Sequence, residues 1–531
     1  MGLSFEVPDL ISVVLCYCQQ ERVMKKLTLN EQSALNVLGS ILLVAINIVI
    51  NLLLSPYIVA SLGVEANGYI TLANNFVSYM ALVTIALNSM AGRFILVSHR
   101  NGDLKSANEY YSSVLLGDWI LAGVFIVPAM IFVLYIDDFI NVPIEFLWDT
   151  KLLFLIVFLN YLVHLCIPQW RTATYCTNNL YLRSLNGAFS AIVRAIVIYF
   201  SFALFTAHSY YVAIAASSMT VVGITIDYIC YRKLMPELRW KVSYFQISKV
   251  KELVFSGIWN TVSQCGNLLL EGLDILVANV FINPVASGIL ALSKVIPNMI
   301  NQITGTVATT YGPRLTYLYV EGKKEEMIEE IKNNITIISF LSNIPIGLFW
   351  IYGIDFFKCW LPSQDSLQLT ILSSVSLFGM LFLGLSQCYV NIFGVVNKLR
   401  LNSLMVVASG LLNIFVIVIL LKNTDLGIYS IVCASSLISI ARVFLFVAPY
   451  AAKCINASGN LFRMLLLKGS LPVLIPCAIG FIVKSIFAIN GWFTLILSMA
   501  LTCLLVVAVN FYLVLNSTQR AVILKILHVK K

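Results

Sequence analysis

Apolar runs of about 20 residues, separated by short polar connections, recur along the whole chain. Because an α-helix rises 1.5 Å per residue, a run of this length crosses the ~30 Å hydrocarbon core of a bilayer. Alternating ten-residue segments typical of membrane β-barrels do not occur in the sequence. The pattern therefore predicts an all-α polytopic membrane protein with about fourteen transmembrane helices. The runs fall near residues 33–54, 68–90, 113–136, 150–168, 184–206, 209–230, 253–282, 285–310, 331–354, 367–391, 401–421, 426–448, 466–487 and 492–515.

The composition agrees with this interpretation. Of 531 residues, 60% are hydrophobic and 11% are charged, and the mean hydropathy is +0.90. A soluble domain has about 25% charged residues, so this supply cannot cover a water-facing surface. The short connections leave no room for a separate soluble domain.

Basic residues are concentrated in alternate connections, which predicts the orientation. The opposite connections contain only Lys151, Lys358, Lys422 and Lys484. We therefore predict that both termini are cytoplasmic and that the net charge of +9 reflects topology rather than nucleic-acid binding. The basic residues of the predicted cytoplasmic side are Lys25, Lys26, Arg93, Arg100, Lys105, Arg171, Arg183, Arg232, Lys233, Arg239, Lys241, Lys249, Lys251, Arg314, Lys323, Lys324, Lys332, Lys398, Arg400, Lys453, Arg463, Lys468, Lys530 and Lys531.

Residues 1–23 fit this pattern poorly, because they lack a basic segment and a long apolar core. Met24, followed by two lysines, resembles a natural start. We expect residues 1–23 to be a non-native or disordered extension, the alternative being a segment that lies on the membrane surface. A tryptic peptide from residues 1–21 of the native protein would contradict the first interpretation.

The sequence offers no metal or cofactor motif. Its twelve cysteines are scattered without a C-x-x-C pair, and the four histidines are far apart in sequence. We expect buried apolar thiols, no disulfide framework, no bound metal and no cofactor.

The chain also repeats itself. One constant offset in sequence position pairs Gly68 with Gly288, Gly92 with Gly312, Gly102 with Gly322 and Glu109 with Glu329. We call this offset the repeat shift. Six runs separate the copies, so both have the same orientation, as in a parallel repeat. We predict two six-helix lobes, residues 24–240 and 241–455, followed by two extra helices and a basic tail in residues 456–531.

Polar residues form stripes along the seventh and eighth runs. In the seventh, spacings of 4, 3, 4 and 3 place Asn260, Gln264, Asn267, Glu271 and Asp274 on one helix face. In the eighth, Lys294, Asn298 and Asn301 do the same. The repeat shift maps Asn267, Glu271 and Lys294 onto Asn47, Asn51 and Asn74, so we expect both lobes to turn polar stripes toward a common place.

A charge at the bilayer centre costs at least ~2.5–3.5 kcal/mol, so these residues face a cavity or each other. In one interpretation Glu271 and Asp274 bind a coupling H⁺ or Na⁺, with Lys294 nearby. In the other, the charges form a structural ion pair. Arg194 is a candidate anion contact or a partner of the carboxylates, and Arg442 is interpreted as extending its charge to the membrane surface.

Three segments, "SPYIVASLGVEANGY", "FSG…D" at the seventh run and "YGPRL…EGKKEEM", resemble bacterial polysaccharide flippases of the Wzx type. These belong to the multidrug/oligosaccharidyl-lipid/polysaccharide exporter superfamily. The resemblance extends over nearly the whole chain from Met24. It implies two lobes that rock between inward-open and outward-open states in the bacterial inner membrane.

The resemblance also implies a substrate. Such flippases move undecaprenyl-diphosphate-linked oligosaccharides, as for O-antigen or capsular polysaccharide, to the periplasmic leaflet. Lys294 and Arg194 match the basic cavity role, and Asp274 matches a frequent acid of the seventh span. Implied partners are the lipid-linked oligosaccharide, membrane lipid, and a complex with a polysaccharide polymerase and a chain-length regulator.

Two alternatives remain open. A multidrug or cation antiporter of the same superfamily would share the fold. A polysaccharide polymerase or ligase is less well supported, because the longest outer connections, near 137–149 and 354–366, are short and contain no catalytic constellation. We therefore expect a transporter and not an enzyme.

Overall fold

The computed structural model describes residues 29–513 and Arg520, so the predicted extension 1–23 lies outside the described residues. This part of the chain is helical and contains no strand. The helices are α1 (Leu29–Leu62), α2 (Val64–Asn88), α3 (Ala91–Arg100), α4 (Leu104–Leu134), α5 (Leu147–Cys166), α6 (Arg171–Cys176), α7 (Leu180–Leu204), α8 (Tyr210–Leu234), α9 (Ile247–Asn267), α10 (Asp274–Phe281), α11 (Pro284–Ser293), α12 (Val295–Thr310), α13 (Gly312–Val320), α14 (Lys324–Trp360), α15 (Ser366–Val395), α16 (Leu399–Asn423), α17 (Ile428–Arg442), α18 (Ala448–Cys454), α19 (Gly459–Ser470), α20 (Leu474–Ile486) and α21 (Trp492–Leu513). Shorter turns of helix lie at Ile136–Phe139, Ile144–Phe146, Val242–Tyr244 and Leu471–Val473, and π-helical turns lie at Leu268–Gly272 and Val443–Val447.

Twelve helical segments of the described residues are long and apolar enough to cross a membrane. The seventh and eighth predicted runs are not among them, because each is broken near its middle. The seventh is divided into α9, a π-helical turn and α10, and the eighth into α11 and α12. Twelve continuous crossings and two broken ones account for the fourteen predicted runs.

The connections define two ends of the helix bundle. We call the end with connections 101–103, 235–246, 321–323 and 396–398 the basic end, and the end with connections 205–209, 282–283, 361–365 and 424–427 the opposite end. The structure contains no membrane, so the assignment of the basic end to the cytoplasm stays a prediction.

Small residues allow close contact between helices of the C-terminal lobe. Lipid is as apolar as a leucine side chain, so helices in a membrane associate largely through close packing. In the C-terminal lobe, a Cβ atom added at Gly266 of α9 would lie 2.6 Å from the backbone of Val406 in α16. The centre of this lobe also contains fully buried Leu385, Tyr389 and Phe393 of α15.

The predicted parallel repeat is present in the backbone. Gly102 and Gly322, which the repeat shift pairs, both have left-handed φ angles, 78° and 70°, and both precede a long helix. Asn178 and Asn397 differ from that shift by a single position and are also left-handed, with φ of 60° and 54° before α7 and α16. Corresponding turns of the two lobes thus have the same conformation, as expected for copies of one unit.

The lobes meet along α2, which contacts α9 and α11. At the opposite end the repeat-related Gly68 and Gly288 contact each other: a Cβ at Gly68 would lie 2.9 Å from the Gly288 nitrogen. Nearby, the Asn141 amide donates to the Asn279 backbone oxygen at 2.8 Å. The lobes are therefore closed against each other at the opposite end.

The two extra helices at the C-terminal end pack on α14. Tyr352 of α14 is fully buried, and its hydroxyl lies 2.8 Å from the Thr502 hydroxyl of α21. A Cβ added at Gly347 would overlap the Pro476 ring of α20. These helices are an outer layer of the C-terminal lobe and lie on the side of α14.

Candidate functional site

The break in the eighth crossing follows from a proline. Pro297 is the third residue of α12 and has no N–H, so the carbonyl of Ser293, four residues earlier, lacks its helical donor. The Ser373 hydroxyl of α15 donates to this carbonyl at 2.8 Å. Lys294 occupies the junction between α11 and α12 that results.

The break in the seventh crossing exposes backbone carbonyls that other helices satisfy. The Asn413 amide of α16 donates to the Leu270 carbonyl at 2.8 Å, and the Tyr79 hydroxyl of α2 donates to the Gly272 carbonyl at 2.8 Å. Lys294 donates to the Glu271 carbonyl at 3.2 Å. Irregular backbone at membrane depth is tolerated where such partners or a cavity satisfy it.

Asp274 and Lys294 join the two breaks through an ion pair. Asp274 is 1% exposed. The Ser435 hydroxyl also lies 3.2 Å from its carboxylate, and the Asn413 amide donates to Ser435 at 3.1 Å. The pair is therefore part of a buried network that spans α10, α11, α16 and α17.

Glu271 differs from Asp274. Its side chain is exposed to a cavity and makes no ion pair or hydrogen bond with any residue that the structure describes. Its charged neighbours are Lys294, Asp274 and Arg442. Glu271 is thus an accessible acidic group beside a neutralised pair.

The cavity has a volume of about 310 Å³ and lies between the C-terminal lobe and α2. Its polar lining comes from both lobes: Thr71, Asn75, Gln264, Asn267, Glu271, Asp274, Lys294, Asn298, Ser376, Ser435, Ser436 and Ser439. We call this space the central cavity. Its amides and hydroxyls can hydrogen-bond a polar ligand, and its charges can bind ions of either sign.

The chain is similar over most of its length to a bacterial membrane protein and to solved transporter structures. No family model matches it. The uncharacterized membrane protein EpsK of Bacillus subtilis (strain 168) is 26% identical over 491 residues, which cover 90% of this chain and 95% of EpsK. The solved lipid II flippase MurJ, in an inward closed conformation, aligns with a TM-score of 0.66 and 14% identity over 90% of this chain and 98% of MurJ.

A second group of solved structures is similar. A multidrug resistance MATE family transporter of the MOP superfamily, in its inward-facing conformation, aligns with a TM-score of 0.61 and 12% identity over 84% of this chain and 99% of that chain. This chain has the MurJ/MATE fold. The expectation of an all-α, two-lobed membrane fold is confirmed.

Within the MurJ/MATE fold, six of the predicted site residues come together. Gln264, Asn267, Glu271, Asp274, Lys294 and Asn298 all line the central cavity. The other predicted residues of these two crossings make different contacts. Asn260 donates to the Ser89 hydroxyl at 3.3 Å, and the Asn301 side chain accepts from Gln387 at 3.4 Å.

The predicted residues of the N-terminal lobe do not line the central cavity. Asn74 is exposed and donates to Ile70 of its own helix at 2.9 Å. Asn47 lines a second cavity inside the lobe. Asn51 accepts a hydrogen bond from Arg194 at 3.2 Å.

Arg194 and Arg442 are half-buried cations. In the described part of the chain, no carboxylate lies within ion-pair distance of Arg194, so the alternative of a pair with Glu271 or Asp274 is not found. The Nε atoms of both arginines are buried and have no acceptor among the residues that the structure describes. The side chain of Arg442, at the junction of α17 and the following π-helical turn, is partly exposed as a whole, so the expectation that its charge extends to the membrane surface stays a prediction.

Sequence reasoning missed four residues that support the site: Asn75, Tyr79, Asn413 and Ser435. Asn413 could have been recognised from the sequence, because it is the single amide in the apolar segment "LLNIFVIVILL". Serine is common in membrane helices, and nothing in the pattern singles out Ser435. Within residues 29–513 no group of three His, Cys, Asp or Glu side chains could hold a metal ion.

We predict that Asn413→Leu destabilises the protein. The substitution leaves the Leu270 carbonyl without its side-chain donor and adds a bulky side chain at a fully buried position, which together cost about 1–3 kcal/mol. Asn423→Leu is the matched control, because this exposed asparagine of the same helix donates only to its own turn. Denaturant unfolding in detergent should show a lower midpoint for Asn413→Leu alone; equal midpoints would contradict the supporting role.

Proposed function

We propose that this chain is a bacterial flippase that moves undecaprenyl-diphosphate-linked oligosaccharides from the cytoplasmic to the periplasmic leaflet of the inner membrane. The product would be O-antigen or a capsular or exopolysaccharide. One observation carries the proposal: a polar, charged cavity lies between the lobes of a fold that includes a lipid II flippase. The alignment with MurJ covers 90% of this chain, and that with the inward-facing MATE transporter covers 84%.

The lining of the central cavity suits a sugar. A hydroxyl buried without a partner costs a few kcal/mol, so oligosaccharide cannot cross hydrocarbon unaided. Gln264, Asn267 and Asn298 offer both donors and acceptors. The polyprenyl chain would remain in lipid between the lobes, and Lys294, which lines the central cavity, would add a charged donor for the polar part of the substrate.

Glu271 and Asp274 are the proposed coupling sites for H⁺ or Na⁺. Lys294 already neutralises Asp274, whereas Glu271 has no ion-pair partner among the described residues. Binding of the cation would make the net charge of the central cavity more positive, and its release would reverse that change. Transport gains a direction if the two conformations bind that cation unequally.

A multidrug or cation antiporter is the second candidate. Glu271 favours it, because an accessible carboxylate without an ion pair attracts organic cations as well as inorganic ones. The similar solved transporters of the MATE family share the fold with TM-scores of 0.61 and 0.59. The named solved structures are a flippase and transporters, so a polymerase or other enzyme has no support from them.

The test compares wild type and Glu271→Gln in two assays at matched membrane levels. In a flippase-deleted bacterium, we expect wild type to restore surface polysaccharide and Glu271→Gln to restore less than about a tenth of it, since the neutral amide cannot bind the coupling cation. Thr309→Val, at an exposed position near the end of α12, is the control and should restore fully. In proteoliposomes, wild type should move a fluorescent lipid-linked oligosaccharide between leaflets.

Drug resistance without restored polysaccharide would favour the antiporter. Restoration by Glu271→Gln at the wild-type rate would remove Glu271 from the coupling mechanism. If wild type supports neither activity, the flippase proposal fails.

A further inference from the structure

A second cavity lies inside the N-terminal lobe, between α1, α6, α7 and α8. Its volume is about 270 Å³, and none of its lining residues lines the central cavity. The polar lining comes from Asn47, Arg171, Arg183, Asn186, Ser190 and Thr220, and the rest is Leu43, Gly187, Met219 and Gly223. We call this space the N-lobe cavity.

One carboxylate neutralises one of the two arginines. The Arg171 Nε donates to one oxygen of Asp227 at 2.8 Å, and the Asn186 amide donates to the other oxygen at 2.7 Å. The Asp227 side chain is only 6% exposed, and each of its two oxygens accepts one of these hydrogen bonds. Asp227 keeps some acceptor capacity, since a carboxylate has about four acceptor positions, but Arg183 lies outside ion-pair distance of it.

Arg183 is the charge that remains. Its electrostatic neighbours are Arg171 and Asp227, and none of the described carboxylates lies within ion-pair distance of it. The amide of Asn47, across the N-lobe cavity, has no hydrogen bond to the described residues. The N-lobe cavity thus combines an excess positive charge with donors that have no acceptor.

We propose that the N-lobe cavity binds a phosphate or diphosphate group. A guanidinium presents N–H donors in a planar fork that matches phosphate oxygens, and the Asn47 amide adds a neutral donor. The group can belong to a lipid headgroup or be free in solution. The inference rests on the proposed function only for the first of these sources, in which the N-lobe cavity would hold the substrate's diphosphate apart from its sugars.

Position supports this assignment. Arg171 and Arg183 lie in α6 and at the start of α7, next to the connection that contains Asn178 at the basic end. A ligand headgroup from the membrane surface at that end would reach the N-lobe cavity along α1 and α7. The alternative is that Arg171 and Asp227 only brace α6 against α8.

The experiment measures binding to the purified full-length protein in detergent by isothermal titration calorimetry. The probes are inorganic diphosphate and farnesyl diphosphate. Arg183→Gln should weaken binding by at least about tenfold, since it removes a charge-assisted hydrogen bond to the phosphate oxygens. Arg232→Gln is the matched control, because it removes an exposed arginine at the same end outside the N-lobe cavity, and it should change affinity by less than about twofold.

Asp227→Asn gives a result of the opposite sign. It keeps the shape of the side chain but releases the charge of Arg171, so a folded variant should bind diphosphate several-fold more tightly. Equal losses for Arg183→Gln and Arg232→Gln, an unchanged affinity in Asp227→Asn, or no binding of either probe would overturn the proposal. If Asp227→Asn does not fold, the difference in affinity between Arg183→Gln and Arg232→Gln decides whether the proposal holds.

The two probes separate the sources of the phosphate. Binding of both with the same dependence on Arg183 supports a site for the phosphate group itself, and binding of farnesyl diphosphate alone supports a lipid headgroup. Neither measurement involves transport. If the binding experiment fails but Glu271→Gln still abolishes the restoration of surface polysaccharide, only the N-lobe proposal is rejected. If binding depends on Arg183 but the wild-type protein does not restore polysaccharide, only the proposed function is rejected.

Discussion

Lys294→Met is expected to lower the free energy of unfolding by about 3–5 kcal/mol, because it leaves the carboxylate of Asp274 buried without a cation. Among the described residues, only the Ser435 hydroxyl would still donate to that carboxylate. Asp274→Leu should cost less, since the ammonium group keeps its hydrogen bond to the Glu271 carbonyl and lines the central cavity. Denaturant unfolding in mixed micelles measures both.

The double variant, Lys294→Met with Asp274→Leu, decides what the pair is for. Replacing a buried ion pair by apolar residues is often neutral or stabilising, so most of the lost stability should return. If transport also returns, the pair is a structural brace. We expect stability to return without transport, as required if the charges take part in the cycle.

Lys484→Met is the matched control for this experiment. Lys484 pairs with Asp355, but its side chain is 35% exposed, compared with 15% for Lys294. An ion pair with access to solvent contributes about 1 kcal/mol or less. A loss as large for Lys484→Met as for Lys294→Met would contradict the special position of the Asp274 pair.

Gly288→Ala is expected to reduce transport by at least tenfold. A Cβ atom at this position would overlap the Val64 carbonyl oxygen, so the lobes could no longer close at the opposite end. Gly305→Ala on α12 is the control, because a Cβ there meets nothing within 4 Å. Alanine is the better helix former by about 1 kcal/mol, so the control should fold at least as well as wild type.

Cysteine accessibility measures the closure directly. In a background without native cysteines, Ser376→Cys places a thiol in the central cavity. We expect a membrane-impermeant maleimide added at the opposite end to label this thiol in Gly288→Ala but not in Gly305→Ala. Equal labelling of both variants would show that the Gly68–Gly288 contact does not seal this end.

Much of this architecture could be predicted from the chain alone. Hydropathy identifies all fourteen crossings, and glycines paired by one constant offset indicate the repeat. The breaks could not be located by hydropathy, because apolar residues continue across them. Pro297 was a visible signal for one break, but the turn at Leu268–Gly272 depends on donors from Asn413 and Tyr79, which are distant in sequence.

The candidate site was predicted for one lobe and not for the other. Helix periodicity correctly places Gln264, Asn267 and Glu271 on one face, because neighbouring turns share a direction. The repeat shift identifies equivalent backbone positions in the two lobes, but the side chains at those positions have different surroundings. Asn47 and Asn51 therefore face the interior of their own lobe, and Asn75, the neighbour of the expected Asn74, lines the central cavity instead.

The hydroxyl of Tyr79 in one lobe satisfies the Gly272 carbonyl of the other. Any motion that parts the lobes there must break this bond and the one that the Asn75 amide of the same helix donates at 3.3 Å, so the Gly272 carbonyl then needs a new donor. A sugar hydroxyl in the central cavity could take the place of Tyr79, whereas an empty cavity offers only water. The same hydrogen bond would then discourage futile cycles, because a carrier without cargo would change conformation less readily than a loaded one.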